Sequence, residues 1–383
     1  MLTSVYAHIV GLRVAFCAFP AAWNAFLTDV GVEAPDVRFE TVPALPSAQS
    51  ERRFSWNDLY RVLKKQVECC DLPDGRRLLR NLGDPTVLPI CCPADYRRVQ
   101  VVCPDDALLV SDSALDLLRI PIECRFIHES IVSLHAACVE DGSCAVCFTG
   151  DSGVGKSTRA KAWVEALGAE FISGDRPAVR LEENGSVACG VPWDGKEQIF
   201  RNVERPLRAI LEVRRAPFTR LRRLSVEQAY RVLVRQCFIP MWDPDTAALA
   251  MVNVKRLCRI TPVYRLFCGP DAEAARETRR ILFDCPEEIQ EELPDMKIRE
   301  GFVLRNVADE HMVMPTGENV GKFGGAVVLS DVAAFAFEQL KRPASREDLL
   351  SLILAEYDVD AETATADLDA LLAQFREMNL LED

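Results

Sequence analysis

Apolar and polar positions alternate at the start of the chain. Val5, Ala7 and Ile9 fall on one side and Tyr6, His8 and Val10 on the other, the period of two that marks a strand. Ser55–Val67 carries helical spacing, whereas Arg98–Val102 and Leu108–Ser111 read as short strands among turn-forming stretches such as Asp71–Gly75 and Asn81–Pro85. From Ser130 the order becomes strand, loop, helix, strand, which is an α/β texture. Leu134–Val139 and Cys144–Thr149 predict a hairpin turning at Asp141-Gly142. A helix then runs from Lys156 to about Leu167, and Phe171–Ser173 leads a further strand into Gly174. The acidic stretch Cys285–Met296, with Pro286 and Pro294, reads as a linker whose middle could form one helical turn. Beyond it the strands Phe302–Val307, His311–Met314 and Ala326–Leu329 precede three helices, Val332–Leu340, Arg346–Glu356 and Thr363–Met378.

Composition adds scale and charge. A chain of 383 residues, 49% hydrophobic and 27% charged, can fill two or three separate cores. The net charge is −13, and it is uneven. Cys285–Asp383 holds 8 Lys+Arg against 22 Asp+Glu, a balance of −14, while the rest of the chain carries 37 against 36. Such a balance argues against nucleic acid or an anionic membrane as partner, since both need clustered Lys and Arg. No apolar run reaches the roughly 18 residues of a spanning helix, and the opening segment lacks the basic start of a secretory signal. The fifteen cysteines are odd in number. The one CxxC, Cys144 and Cys147, lies in a strand-like run that points its two thiols to opposite sides. Reduced thiols in a cytoplasmic protein are the expectation.

The candidate chemistry begins at Gly150-Asp151-Ser152-Gly153-Val154-Gly155-Lys156-Ser157, a complete GxxxxGK[ST] with Thr158 following. Glycines let backbone N–H groups converge on phosphate oxygens, and the helix N-terminus adds a favourable dipole. Lys156 would neutralise β/γ-phosphate charge and the Ser157 hydroxyl would ligate Mg²⁺, so ATP and Mg²⁺ are the expected ligands.

Four stretches surround this loop in a recognisable order: Leu134-His135-Ala136-Ala137, GDSGVGKST, SGDRPAVR from Ser173, and Gly190-Val191-Pro192-Trp193-Asp194-Gly195-Lys196. Together they make Ser130–Asp284 resemble the HPr kinase/phosphorylase family, whose fold is shared with phosphoenolpyruvate carboxykinases. The resemblance implies that His135 lies near the reacting phosphate and that Asp175 serves as metal ligand, as base, or as both. Gly174 stands where the family usually has a second acid, so Asp151 or Asp194 are further candidates for the base. Thr158 stands where HPr kinases proper often carry an acid, which argues against HPr itself as substrate and against phosphorolysis. Trp193, Lys196, Glu197 and Arg201 are substrate-side candidates, although Arg201, Arg205 and Arg208 fit a helix surface equally well. His135 could instead be a core histidine, and Asp175 a cap or a partner of Arg176.

A second resemblance lies in Lys297–Asp383. The segments Gly301–Arg305, His311–Pro315, Val328–Phe335, Glu356–Val359 and Asp367-Leu368 through Asn379–Glu382 are similar to the PqqD family, the leader-recognition domain of ribosomal peptide modification systems. Ser330 replaces an Asn frequent in that family. The resemblance implies a winged-helix-like domain in which a leader peptide adds as a strand beside the third strand, against the last helix. Val327 and Leu329 would border that edge and Leu372, Phe375 and Met378 the helix side, unless these are plain core residues. An acidic face would favour a leader carrying Lys or Arg.

The expected protein is therefore multidomain, α/β plus α+β. Residues 1–125 would form an α/β accessory domain, 126–284 an HPr-kinase-like ATP-binding domain, 285–296 an acidic linker and 297–383 a PqqD-like domain. The expected activity is an ATP-dependent kinase acting on a Ser or Thr hydroxyl of a precursor peptide recruited through its leader. Two alternatives stand beside it: a kinase for a small hydroxy-metabolite, and a non-catalytic, nucleotide-gated chaperone presenting the peptide to a partner modifying enzyme. A homo-oligomer is left open.

Overall fold

The computed structural model describes residues 5–16, 21–28, 34–45, 52–55, 67–81, 86–87, 89–101, 112–193, 199–292, 296–307, 310–321 and 325–382. The chain divides into two compact units, Met1–Glu291 and Glu292–Asp383. The expected helix Ser55–Val67 (residues 56–66) and the expected strand Leu108–Ser111 lie outside the described residues, as do Asp194, Lys196 and Glu197.

The first unit contains two sheets. One has nine strands, from Val5–Ile9 to Arg98–Val101. Its first hairpin pairs Ile9 with Leu12 across Val10 and Gly11, both at positive φ, the two-residue turn that matches strand twist. The alternation read from the sequence is kept at Ala7 and Ile9, which are buried, and at His8, which is exposed. Val10, expected on the His8 side, is instead buried at the turn. The second sheet has ten strands, organised on the long strand Glu204–Arg215. That strand runs antiparallel to Gly185–Cys189 at its start and parallel to Cys144–Thr149 and Val263–Cys268 at its end. The helix surface considered for Arg205 and Arg208 is thus a strand.

The expected boundary at 125/126 falls inside this unit. Residues from the nine-stranded sheet (Ala7, Phe39), from the helix Asp112–His128 (Leu117, Phe126) and from the later segments (Trp193, Trp242) share one buried core. A buried polar knot reinforces the join. Asp243 accepts from the hydroxyls of Tyr96 at 2.9 Å and Thr246 at 2.6 Å, and pairs with Arg77 at 3.1 Å. The expected linker is also anchored at both ends. Pro286–Glu288 forms a 3₁₀ turn, Gln290–Glu291 pairs with Arg222–Arg223, and Met296 bridges to Ala344.

The second unit is α+β. Phe302–Val307, Glu310–Pro315 and Val327–Leu329 form an antiparallel sheet in that order. The helices Asp331–Gln339, Arg346–Glu356 and Ala361–Glu377 start at side-chain caps from Ser330, Ser345 and Asp360. Their inner faces meet the sheet in one core, where Phe337 and Phe375 pack edge to face at 6.2 Å. A short pair, Lys297–Ile298 with Leu381–Glu382, closes the unit near its ends and has no counterpart in the sequence reading.

Candidate functional site

The strand Cys144–Thr149, the loop from Gly150 and the helix Lys156–Leu167 follow one another as the spacing predicts. Gly150 has φ of 133°, and a Cβ there would crowd Val154 Cγ1 at 3.3 Å and Val213 O at 3.4 Å. Gly155 has φ of 101° and would push a Cβ into the Arg159 guanidinium. No side chain caps this helix, so its first N–H groups face the loop without a side-chain acceptor. Asp151 and Ser152 are exposed and Ser157 is half-buried.

Lys156 is buried, and its ammonium donates to the carbonyls of Gly150 at 3.0 Å and Asp151 at 3.2 Å. Burial pulls its pKa below the ordinary lysine value, with Asp175 and Asp151 pulling the other way. Asp175 therefore acts electrostatically on the loop lysine, with the strand Ala136–Asp141 lying between the strands that lead to each of them.

The expected strand Leu134–Val139 is broken, and the break is what presents His135. Ile131–Ser133 pairs with Ala178–Glu182, whereas Ala136–Asp141 pairs with Cys144–Thr149 and Glu170–Ser173. At the crossing, the His135 N–H donates to Gln236 O at 2.7 Å and its carbonyl accepts from the Thr149 hydroxyl at 2.9 Å. With its backbone held on both sides, the His135 ring reaches Asp175, Nε2 to Oδ1 at 3.2 Å. Arg176 lies 3.6 Å from the other carboxylate oxygen. Burial pushes the Asp175 carboxyl up, but the His135 hydrogen bond and the charges of Arg176, His135 and Arg119 outweigh it and hold the group below the usual carboxylate range.

His135, Asp151, Lys156 and Asp175 are thus gathered about one loop, with Ser157 and Thr158 at the head of its helix. Among the described residues no cluster of three or more His, Cys, Asp or Glu is arranged to hold a metal by itself. The donor set at the loop, one hydroxyl and one ionised carboxylate, suits Mg²⁺, which takes few protein ligands and completes its shell with phosphate and water.

Other candidates sit elsewhere. Arg201 bonds Glu140 and Glu170 at 2.6 Å each, and Arg205 also pairs with Glu140. Glu140 is opposite Ala145, at the hairpin end of its strand, whereas Ala136 is opposite Thr149 and the loop. Arg201 therefore takes part in an ion-pair cluster at the hairpin end of the strand, away from the loop. Trp193 is buried, 5.9 Å from Phe126, in the core shared with the nine-stranded sheet. Three arginines without a motif signal do lie near the loop. Arg159 donates to Val154 O at 3.2 Å, Arg215 donates to Val154 O at 3.3 Å and to Gly153 O, and Arg119 acts on Asp175.

The second unit offers a different kind of site. Val327–Leu329 pairs with Glu310–Pro315 through Val327↔Val313, Met312↔Val328 and His311↔Leu329, and among the described residues its other edge has no strand beside it. Val328 is 53% exposed and Val327 is half-buried. Leu329, Leu372 and Phe375 are core residues at 8%, 2% and 0% exposure, so each offers little surface to a peptide. Met378 and Leu371 are partly buried against the same core, Leu371 having escaped the sequence reading.

Residues 310–381 match the model of the family described as coenzyme PQQ synthesis protein D (PqqD). No curated protein matches the chain. Among solved structures, TbiB1 in complex with the TbiA(beta) leader peptide is 27% identical over 22% of this chain and 94% of its own, with a TM-score of 0.20. Lasso peptide synthetase B1 complexed with the leader peptide is 20% identical over 23% and 99%, with a TM-score of 0.20. The Hpr(Ser) kinase/phosphatase from Coxiella burnetii is 12% identical over 38% and 95%, with a TM-score of 0.21. Among the described residues no helix is long and apolar enough to cross a membrane.

Proposed function

We propose that this chain is an ATP-dependent kinase that phosphorylates a Ser or Thr hydroxyl of a ribosomally made precursor peptide, held by its leader on the C-terminal unit. One observation carries the reading. A complete GxxxxGK[ST] loop with the His135–Asp175 pair beside its lysine stands in the same chain as a segment matching PqqD.

In this reading Lys156 and the loop N–H groups bind the triphosphate, and Ser157 with Asp175 holds its Mg²⁺. Mg²⁺ held there would supply positive charge that offsets the charge of the transferring phosphoryl group. Asp175 takes the proton of the acceptor hydroxyl as its oxygen forms the new P–O bond and the bond to the β-phosphate oxygen breaks, ADP leaving. One acid suffices despite Gly174, because phosphoryl transfer proceeds through a loose transition state that asks little of a base and much of positioning. His135 keeps Asp175 ionised and oriented. The leader adds a strand along Val327–Leu329, and the tethered core segment gains effective concentration at the loop.

The test uses a short Ser/Thr-rich peptide encoded beside the gene, incubated with ATP, Mg²⁺ and the full chain. Mass spectrometry should show a gain of one phosphate with the native protein and at least about a hundredfold less with Lys156→Ala, the scale of losing one preorganised transition-state charge. A phosphate gain undiminished in Lys156→Ala contradicts the assignment.

A further inference from the structure

The crossing that follows the strand Glu204–Arg215 carries an exposed aromatic ring beside the glycine loop. Phe218 is 49% exposed, and among the described residues no other Phe or Trp is so open to solvent. Its place follows from the sheet. Glu204–Arg215 lies parallel to Cys144–Thr149 with Glu212 opposite Thr149, so three residues further on it reaches the loop, where Arg215 bonds the carbonyls of Gly153 and Val154. Phe218 is three residues beyond that anchor, within about 10 Å of chain. The crossing is held there, since Ala216 N donates to Cys268 O at 3.3 Å and Arg159, from the helix after the loop, donates to the same carbonyl at 3.0 Å. The ring centroid is 6.2 Å from that of Phe267, and the Arg220 guanidinium lies 5.1 Å from the ring centroid.

A half-exposed ring with a planar cation over it is the equipment of a base-stacking platform. Arg220 at the ring and Arg215 at the loop suit a ligand that is also an anion. We propose that Phe218 and Arg220 form the base subsite of the nucleotide site, with the purine of a nucleoside triphosphate stacking on the Phe218 ring while its phosphates lie in the loop. The proposal rests on the kinase reading of that loop and adds where the base is recognised.

The test measures binding of ATP and of inorganic tripolyphosphate to the full chain and to Phe218→Ala and Phe218→Trp. Native protein should bind both. Phe218→Ala should lose roughly tenfold in ATP affinity and keep tripolyphosphate affinity, and Phe218→Trp should keep ATP affinity with its added fluorescence quenched by ATP alone. Equal losses for the two ligands would mark Phe218 as a support of the loop, and unchanged ATP affinity would mark it as a bystander; either overturns the base subsite alone. Failure of native protein to bind either ligand overturns the phosphate loop itself and the subsite with it.

Discussion

At the glycine loop the chemistry lies in side chains that the backbone fixes in place. Lys156 is tied to two loop carbonyls, and His135 is presented by a strand break whose N–H and C=O are both bonded. At the outer edge of Val327–Leu329 the proposed recognition surface is the backbone itself, and the apolar side chains nearby mostly serve the core. The comparison teaches which residues a sequence can nominate. Side-chain chemistry leaves a motif of fixed residue types, whereas an edge strand can be recognised by almost any sequence whose neighbours pack.

That contrast can be broken most forcefully at Phe375. If it is core, Phe375→Ala should destabilise the C-terminal unit by about 3–5 kcal/mol, seen in denaturant unfolding, with nucleotide binding unchanged. A variant of native stability that only loses peptide would make Phe375 a contact residue and erase the distinction. A smaller effect is expected at the edge. Val328→Pro removes an N–H and bars continuous pairing along the strand, and should weaken leader binding about tenfold or more in titration calorimetry. Val328→Ala should change it little if the leader reads the backbone.

The smallest effect concerns acid stability at the loop. The Asp175 carboxyl is held below its ordinary value of 3.8, so the stability it contributes is complete above that pH and is lost only as pH falls through the lower folded value. Thermal melts should show Asp175→Asn less stable than native protein near neutrality, the two curves converging as the pH falls below the ordinary carboxylate value and the group protonates. Curves that stay parallel across this range would mean that Asp175 is not the ionised partner of His135.

Legibility follows the same division. The strand, loop and helix at Cys144–Leu167 are readable because each residue of the loop pattern has one job, and the helices of the C-terminal unit are readable from their spacing and their caps. Arg201, Arg205 and Arg208 mislead because their spacing fits one helix face, although Arg201 and Arg205 are placed by carboxylates at Glu140 and Glu170 on neighbouring strands. The boundary read at 125/126 falls within the helix Asp112–His128, whose buried residues share one core with the nine-stranded sheet and with later segments, and nothing local in the sequence signals that sharing. Arg215 is invisible as a loop residue since only the parallel register of Glu204–Arg215 carries it across some sixty residues of sequence.

The central claim is that one chain couples leader capture on an exposed strand to phosphoryl transfer at the glycine loop. The most direct measurement compares the rate of phosphate incorporation into the precursor peptide with and without its leader, using the intact protein, ATP and Mg²⁺. The account predicts that removing the leader raises KM about tenfold or more with little change in kcat, and that free leader peptide inhibits competitively. Equal kcat/KM for the two peptides, or no incorporation into either, would contradict it.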